Sequence, residues 1–235
     1  MLYFLKSAAC GRIFAAFLFV LASRIRKDGT IMHKIKEFKL EGKLKGISDR
    51  QIQEHRDVLY KGYVDKLNML EEEIKKAPTE GANATYAVIR EMFKEKSFTT
   101  NAVFLHEWYF ENLGGKGGAP GGRIAEMIKE RWGSFDNWMA QFKAVGMSGR
   151  GWAVLSWSMN DNTLHNYMMD MHDIGAIWNE IPLLILDIYE HAYMIDYGVK
   201  RAAYLDAFFQ NIDWNVVEKR LQTSLKLDEA LGRAA

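Results

Sequence analysis

The hydrophobic period of this chain changes at Gly149, and that change limits the fold more than any other feature. Before it, Ile52, Leu59, Tyr63, Leu67 and Leu70 recur at helical spacing, with Ser48 or Asp49 as N-cap and a run to Ile74. Pro78 to Gly81 interrupts the pattern. Further helical runs follow over 86–94, 101–113, 125–131 and 135–142, the last capped by Ser134. After Gly149 the segments WAVLSW (152–157) and LHNYMM (164–169) read as strands around the turn MNDN, and PLLIL (182–186) as a short buried strand. Helical sequence returns over 190–197 and from Ala202 onward. The order is α+β. It predicts an N-terminal helical hairpin domain over 36–118, then a C-terminal domain over 119–235 with a small three-stranded antiparallel sheet and surrounding helices. The glycine-rich GGKGGAPGG between them is flexible by composition.

The first thirty residues differ from the rest. The run IFAAFLFVLA (13–22) is flanked by Lys6 and Arg12 before it and by Arg24, Arg26 and Lys27 after it. It is shorter than the ~20 residues that span a bilayer, but it suits the apolar region of a signal peptide. The alternative is a start at Met32, since MHKIKEFKLEGKLKGISD reads as the beginning of a soluble domain. Residues 1–35 are therefore set apart as an extension. No stable membrane span is expected, and the cytoplasm is the expected compartment. Export or anchoring through residues 1–30 is the alternative.

A formal net charge of +1 argues against a nucleic-acid binder, which needs basic excess to offset phosphate. The single cysteine, Cys10, allows neither an internal disulfide nor a thiolate metal cluster. Any metal must be held by nitrogen and oxygen. That directs attention to the six histidines. His33 precedes the core and is expected at the surface, and His165 lies in a strand with a structural or surface role. Taken alone, His55 reads as an ordinary helix histidine. His106 sits in the aromatic helix FLHEWYFENL, where a buried imidazole needs a partner. In LLILDIYEHAYMIDY, Asp187 follows buried aliphatic residues and His191 comes four residues later. A carboxylate there is costly unless paired or bound to a cation.

The segment DIYEHAYMIDY resembles the DxWEHAYY signature of the iron/manganese superoxide dismutases. It departs at Tyr189, where Trp is common, and at Met194. ISDRQIQEHRDVLYKGYVDKLN is similar to the first ligand helix of that family, NAVFLHEWYFENL to the second, and GRGWAVL to its GSGWxWL strand. YLDAFFQNIDWNVVEKRL matches the closing pattern, so the resemblance runs in order from residue 46 to about 222.

That resemblance implies conversion of superoxide to oxygen and hydrogen peroxide by one redox metal per subunit. The implied ligands are His55, His106, Asp187 and His191. Iron is the first choice, with manganese or either metal as the alternative, because ligand type alone does not separate them. Tyr63 is implied as the phenol at the substrate funnel. Phe104, Phe110, Trp152 and Tyr189 are implied as the aromatic wall, for which plain core packing is the other explanation. Glu190 corresponds to the residue that reaches the last ligand histidine of a partner, and a homodimer or a dimer of dimers is implied. Arg201 corresponds to a basic residue near the funnel, where positive charge steers superoxide, or else is a solvated helix charge.

Two departures are informative. The glutamine that commonly bonds the metal's solvent ligand is absent: Ala102 holds one of its two usual positions and His172 the other. His172 is expected to take that role, as in an archaeal-type branch. A cross-dimer His–Tyr pair of the family is replaced by Leu59 and Met194, both polar partners being lost together. Outside dismutation, a His/Asp hydrolase or hydroxylase and an inactive relative are the readings that remain.

Overall fold

A computed structural model describes residues 32–232. Cys10, the apolar run 13–22 and the proposed export or anchor role of the first thirty residues lie outside the described residues. Among the described residues no helix is long and apolar enough to cross a membrane.

The first helix is continuous but not uniform. It comprises α1 (Asp49–Gln53), a π-helical stretch Glu54–Tyr60, and α2 (Lys61–Ile74). Ser48 is the N-cap, its Oγ accepting from the Gln51 N–H at 3.1 Å. The buried positions are Gln51, Ile52, His55, Tyr60, Val64, Leu67 and Leu70. The step of five from His55 to Tyr60 does not fit an α-helix, and the wider π turn absorbs the extra residue. Two expected core positions, Leu59 and Tyr63, are half-buried. Without the extra residue, Gly62 rather than Tyr63 would lie closest over His55. With it, Gly62 is exposed and Tyr63 turns inward.

The helix α3 (Val88–Glu111) is a single element rather than two runs. Ser97, Thr99 and Thr100 are weak helix formers, yet Thr99 is buried and Ser97 Oγ bonds back to the Phe93 carbonyl. Packing against α2 overrides their propensity. His33, expected at the surface, is half-buried with its ring edge-on to Phe104. Its backbone N–H donates to Asn68 Oδ1 at 2.8 Å, which ties the chain ahead of Lys36 to α2.

The glycine loop is pinned by its backbone: Gly115 N–H donates to Asn211 O and Gly117 N–H to Ile212 O, at 3.0 and 3.1 Å. A Cβ at Gly115 would collide with the Ile212 and Asp213 backbone, so glycine serves close approach here.

Helices α4 (Gly122–Trp132) and α5 (Phe135–Ser148) lead into β1 (Trp152–Ser158), β2 (Thr163–Met169) and β3 (Glu180–Asp187). The sheet is antiparallel with β1 in the centre. Every residue of β1 is buried, because α5 packs on it and neighbouring strands flank both edges. The register sets Trp152 opposite Asp187. Where one helix is expected over 190–197, the chain forms a 3₁₀ turn, Glu190–Ala192, then α6 (Met194–Tyr197). Helices α7 (Arg201–Phe209) and α8 (Trp214–Ala230) complete the fold, with α8 against β3. Buried residues of the helical half and of the sheet half form one hydrophobic cluster.

Candidate metal centre

Four elements converge on one point. The π-helical stretch carries His55, α3 carries His106, β3 ends on Asp187, and the 3₁₀ turn carries His191. One donor atom from each lies within 4.8 Å of all the others. Asp187 Oδ2 is the hub, at 3.1 Å from His55 Nε2, 3.6 Å from His106 Nε2 and 3.2 Å from His191 Nε2. Its other oxygen is occupied, since Oδ1 accepts the Tyr189 N–H at 2.9 Å. The carboxylate is thereby turned with one oxygen toward the imidazoles.

His55, His106 and Asp187 are fully buried, and the His191 side chain is 23% exposed. His106 Nδ1 lies 2.6 Å from the Ala102 carbonyl, which only a ring N–H can satisfy, so Nε2 presents a lone pair to the centre. Burial, with some repulsion among the rings, pushes the His55 and His106 imidazoles below the ordinary range. They are neutral and able to ligate at neutral pH. Burial alone would raise the Asp187 carboxyl, but attraction to His191 and His55 outweighs it and holds the group well below the usual carboxylate range.

The Nε2 atoms of His55 and His106 are buried without a well-aligned hydrogen bond. Such groups are rarely left so unless something else fills the space between them. Three imidazoles and one carboxylate suit a divalent or trivalent cation of the iron and manganese kind.

A second layer surrounds this set. Trp152 Nε1–H donates to His172 Nδ1 at 3.0 Å, and His172 Nε2 lies 3.2 Å from the Tyr63 hydroxyl. The Trp152 ring stands edge-on to His106 with centroids 5.0 Å apart, and Tyr189 stacks on His191 at 5.1 Å. Phe110 packs on His55 at 5.0 Å. Phe104 behaves differently. Two residues from His106 along α3 it faces away, and its ring contacts are His33 and Trp108. It belongs to packing outside the centre. Glu190 is exposed beside the half-exposed His191. Arg201 is tied down, donating to Gly149 O at 2.7 Å and to Tyr193 OH at 3.2 Å. Leu59 is half-buried and Met194 is 41% exposed.

Several participants were not predicted from the sequence. Phe98 packs on His172 at 4.5 Å and Tyr109 on His55 at 5.3 Å. Their spacing from His106, eight back and three forward, places both on its face of α3 and is a usable signal. Tyr204 has no such signal. Its hydroxyl donates to the Asp187 carbonyl at 2.8 Å and so accepts from Tyr109 OH at 3.0 Å, each phenol having one proton. Asn112 fixes α3 to β3, its side chain accepting from Ile185 N–H at 3.0 Å and donating to Ile185 O at 3.2 Å.

The fold and centre define an α+β protein in which three histidines and one aspartate are placed so that they could hold a metal ion. Residues 120–220 match the C-terminal domain of the iron/manganese superoxide dismutases. The chain is 40% identical to a "Superoxide dismutase [Fe]" of Aquifex pyrophilus, over 80% of this chain and 90% of that protein. It is 39% identical to one of Aquifex aeolicus (strain VF5), over 85% and 97%. Identity to "Superoxide dismutase [Mn] 1" of Halobacterium salinarum is 34%, over 75% and 87%. The chain belongs to the iron/manganese superoxide dismutase family.

Proposed function

We propose that the protein converts superoxide to oxygen and hydrogen peroxide at one iron ion held by His55, His106, Asp187 and His191. The observation that carries this is the convergence of four donor atoms within 4.8 Å in a buried, aromatic-walled interior. Iron rather than manganese is favoured by the two relatives at 40% and 39% identity, both named as iron enzymes.

When bound, the ion supplies one-electron exchange, taking an electron from one superoxide and giving it to the next. The reaction as a whole consumes two superoxide ions and two protons and yields one oxygen and one hydrogen peroxide. The chain's own task is therefore to bind the ion, admit a small anion and deliver protons. Tyr63, Tyr189 and His191 are the half-exposed members of the group, so entry is from their side. Because Trp152 donates to His172 Nδ1, the neutral His172 ring carries its proton on Nε2, beside Tyr63. Burial holds the ring neutral, its pKa lowered to about 4. Burial, with the Asp187 charge, raises the Tyr63 phenol above its ordinary 10. Both groups thus keep their protons at neutral pH, and a proton relay through Tyr63 and His172 fits those states. Arg201, held by the Met147 and Gly149 carbonyls at the C-terminal end of α5, contributes fixed positive charge to the approach of the anion.

A second copy of the chain is proposed to pack beside the entry, leaving it open. Val58, Met194 and Ile195 are 59%, 41% and 43% exposed there, and Glu190 projects beside His191. That contact makes a homodimer, or a dimer of dimers through a second surface.

The deciding experiment is superoxide dismutation by protein reconstituted separately with iron and with manganese, with elemental analysis and sedimentation of the same samples. Activity with iron supports the reading in full. Activity with manganese alone replaces the ion, and inactivity with one ion bound per chain sinks the proposal.

A further inference from the structure

Of the four ligands, His191 is the least fixed by its own surroundings. His106 is locked by the Ala102 carbonyl, Asp187 by the Tyr189 amide, and His55 is walled in by Tyr109 and Phe110. His191 lies in a three-residue 3₁₀ turn and is partly exposed; among the described residues its ring hydrogen-bonds only to Asp187, with Tyr189 stacked on one face.

The break after that turn has a visible cause. In an unbroken α-helix the Ile195 N–H would donate to the His191 carbonyl, four residues back. Here the side-chain amide of Gln51 stands between them. Its Oε1 accepts from Ile195 N–H at 3.1 Å, and its Nε2 donates to His191 O at 2.6 Å. Only this orientation of the amide satisfies both backbone groups, because a flipped one would set donor on donor and acceptor on acceptor. At the break Tyr193 has φ −145° and ψ −12°, outside helical geometry.

Gln51 is fully buried and lies four residues before His55, on the same face of the same helix. One helix face therefore carries the first ligand and grips the backbone of the last. Ser48 reinforces the contact, donating from its N–H and Oγ to the Asp196 carboxylate at 2.7 and 2.6 Å.

We propose that Gln51 is a positioning residue for the metal centre, inserted into the His191–Ile195 backbone pair to hold the ligand turn in its non-helical form. Without it the pair closes directly or opens to water, and either change moves the His191 imidazole relative to the other three ligands. The inference rests on the reading of those four residues as metal ligands.

The test is Gln51→Met, which keeps length and removes donor and acceptor. Mn²⁺ affinity is measured by chelator competition, with urea unfolding of the metal-free protein and amide hydrogen exchange at Ile195. The expected result is a ~10- to 100-fold loss of Mn²⁺ affinity, the range typical of outer-sphere partners of metal ligands, with faster exchange at Ile195. A variant that unfolds more easily but binds Mn²⁺ with wild-type affinity when folded has lost only a structural contact, and overturns the proposal. Should the variant not fold, the wild type still decides: its Ile195 amide must exchange more slowly than that of Val199, which is 86% exposed. Equal rates overturn the insertion. A wild-type protein that binds no Mn²⁺ or iron refutes the metal reading instead, and the Ile195 exchange rate remains interpretable by itself.

Discussion

The indole N–H of Trp152 points at Nδ1 of His172, 3.0 Å away, and thereby decides which nitrogen of that ring faces Tyr63 with a proton. The contact joins the first residue of β1 to the loop after β2. Its consequence reaches the candidate metal centre, because Trp152 also stands edge-on to His106 and opposite Asp187 in the sheet.

His172→Gln is expected to leave the metal bound, since His172 is not among the four converging donors. Turnover with iron, with manganese or with both should change by ~10-fold or more, the scale on which outer-sphere partners act. Equal turnover of variant and wild type with each metal would remove His172 from the reaction.

His191→Ala removes one of four donors and the half-exposed one. Metal content by elemental analysis should fall from near one to a small fraction per chain, with dismutation lost in parallel. A fully loaded variant would contradict the ligand assignment.

The metal-free protein should lose stability as acid is added. His172 has a folded pKa of about 4 against 6.5 when unfolded, and His55 and His106 are also shifted down by burial. Between those values the unfolded chain binds protons that the folded chain refuses, so stability is complete above about 6.5 and falls toward 4. For His172 alone the loss approaches ~3 kcal/mol. Asp187 adds nothing in this window, because its carboxyl is shifted down and its contribution disappears only at more acid pH. Urea midpoints of metal-free protein from pH 8 to pH 4 measure this, and a flat profile would show that the imidazoles are not buried neutral.

Tyr63→Phe should fold and keep its metal, since the phenol ring stays half-buried against Phe98, His106 and His172. Activity is expected to drop by up to ~100-fold, the lower end of what a positioned proton donor contributes. The raised phenol pKa places any alkaline loss of wild-type activity attributable to this group above pH 10, and the variant should lack that limb. An unchanged alkaline limb would assign it to another group.

Much of the centre is legible in the amino-acid sequence because its pieces are local. Asp187 and His191 are four residues apart after a buried strand, and His106 stands in an aromatic helix whose composition demands burial. The strands, the order of elements and the α+β class follow from period and turn residues, which depend on near neighbours. What the sequence could not show depends on neighbours far along the chain. The π turn that brings Tyr63 inward satisfies burial of both His55 and Tyr60 against α3, and local propensity carries no term for that. Phe104 and Phe110, by contrast, are separable by spacing alone: two residues before His106 lies on the far side of α3 and four after on its face, and only Phe110 packs on His55. The segment 190–197 has a helical pattern and is broken by a side chain 140 residues away in sequence. Local chemistry thus fixed which residues can bind a metal, whereas long-range packing and hydrogen bonding decided which of their atoms face it.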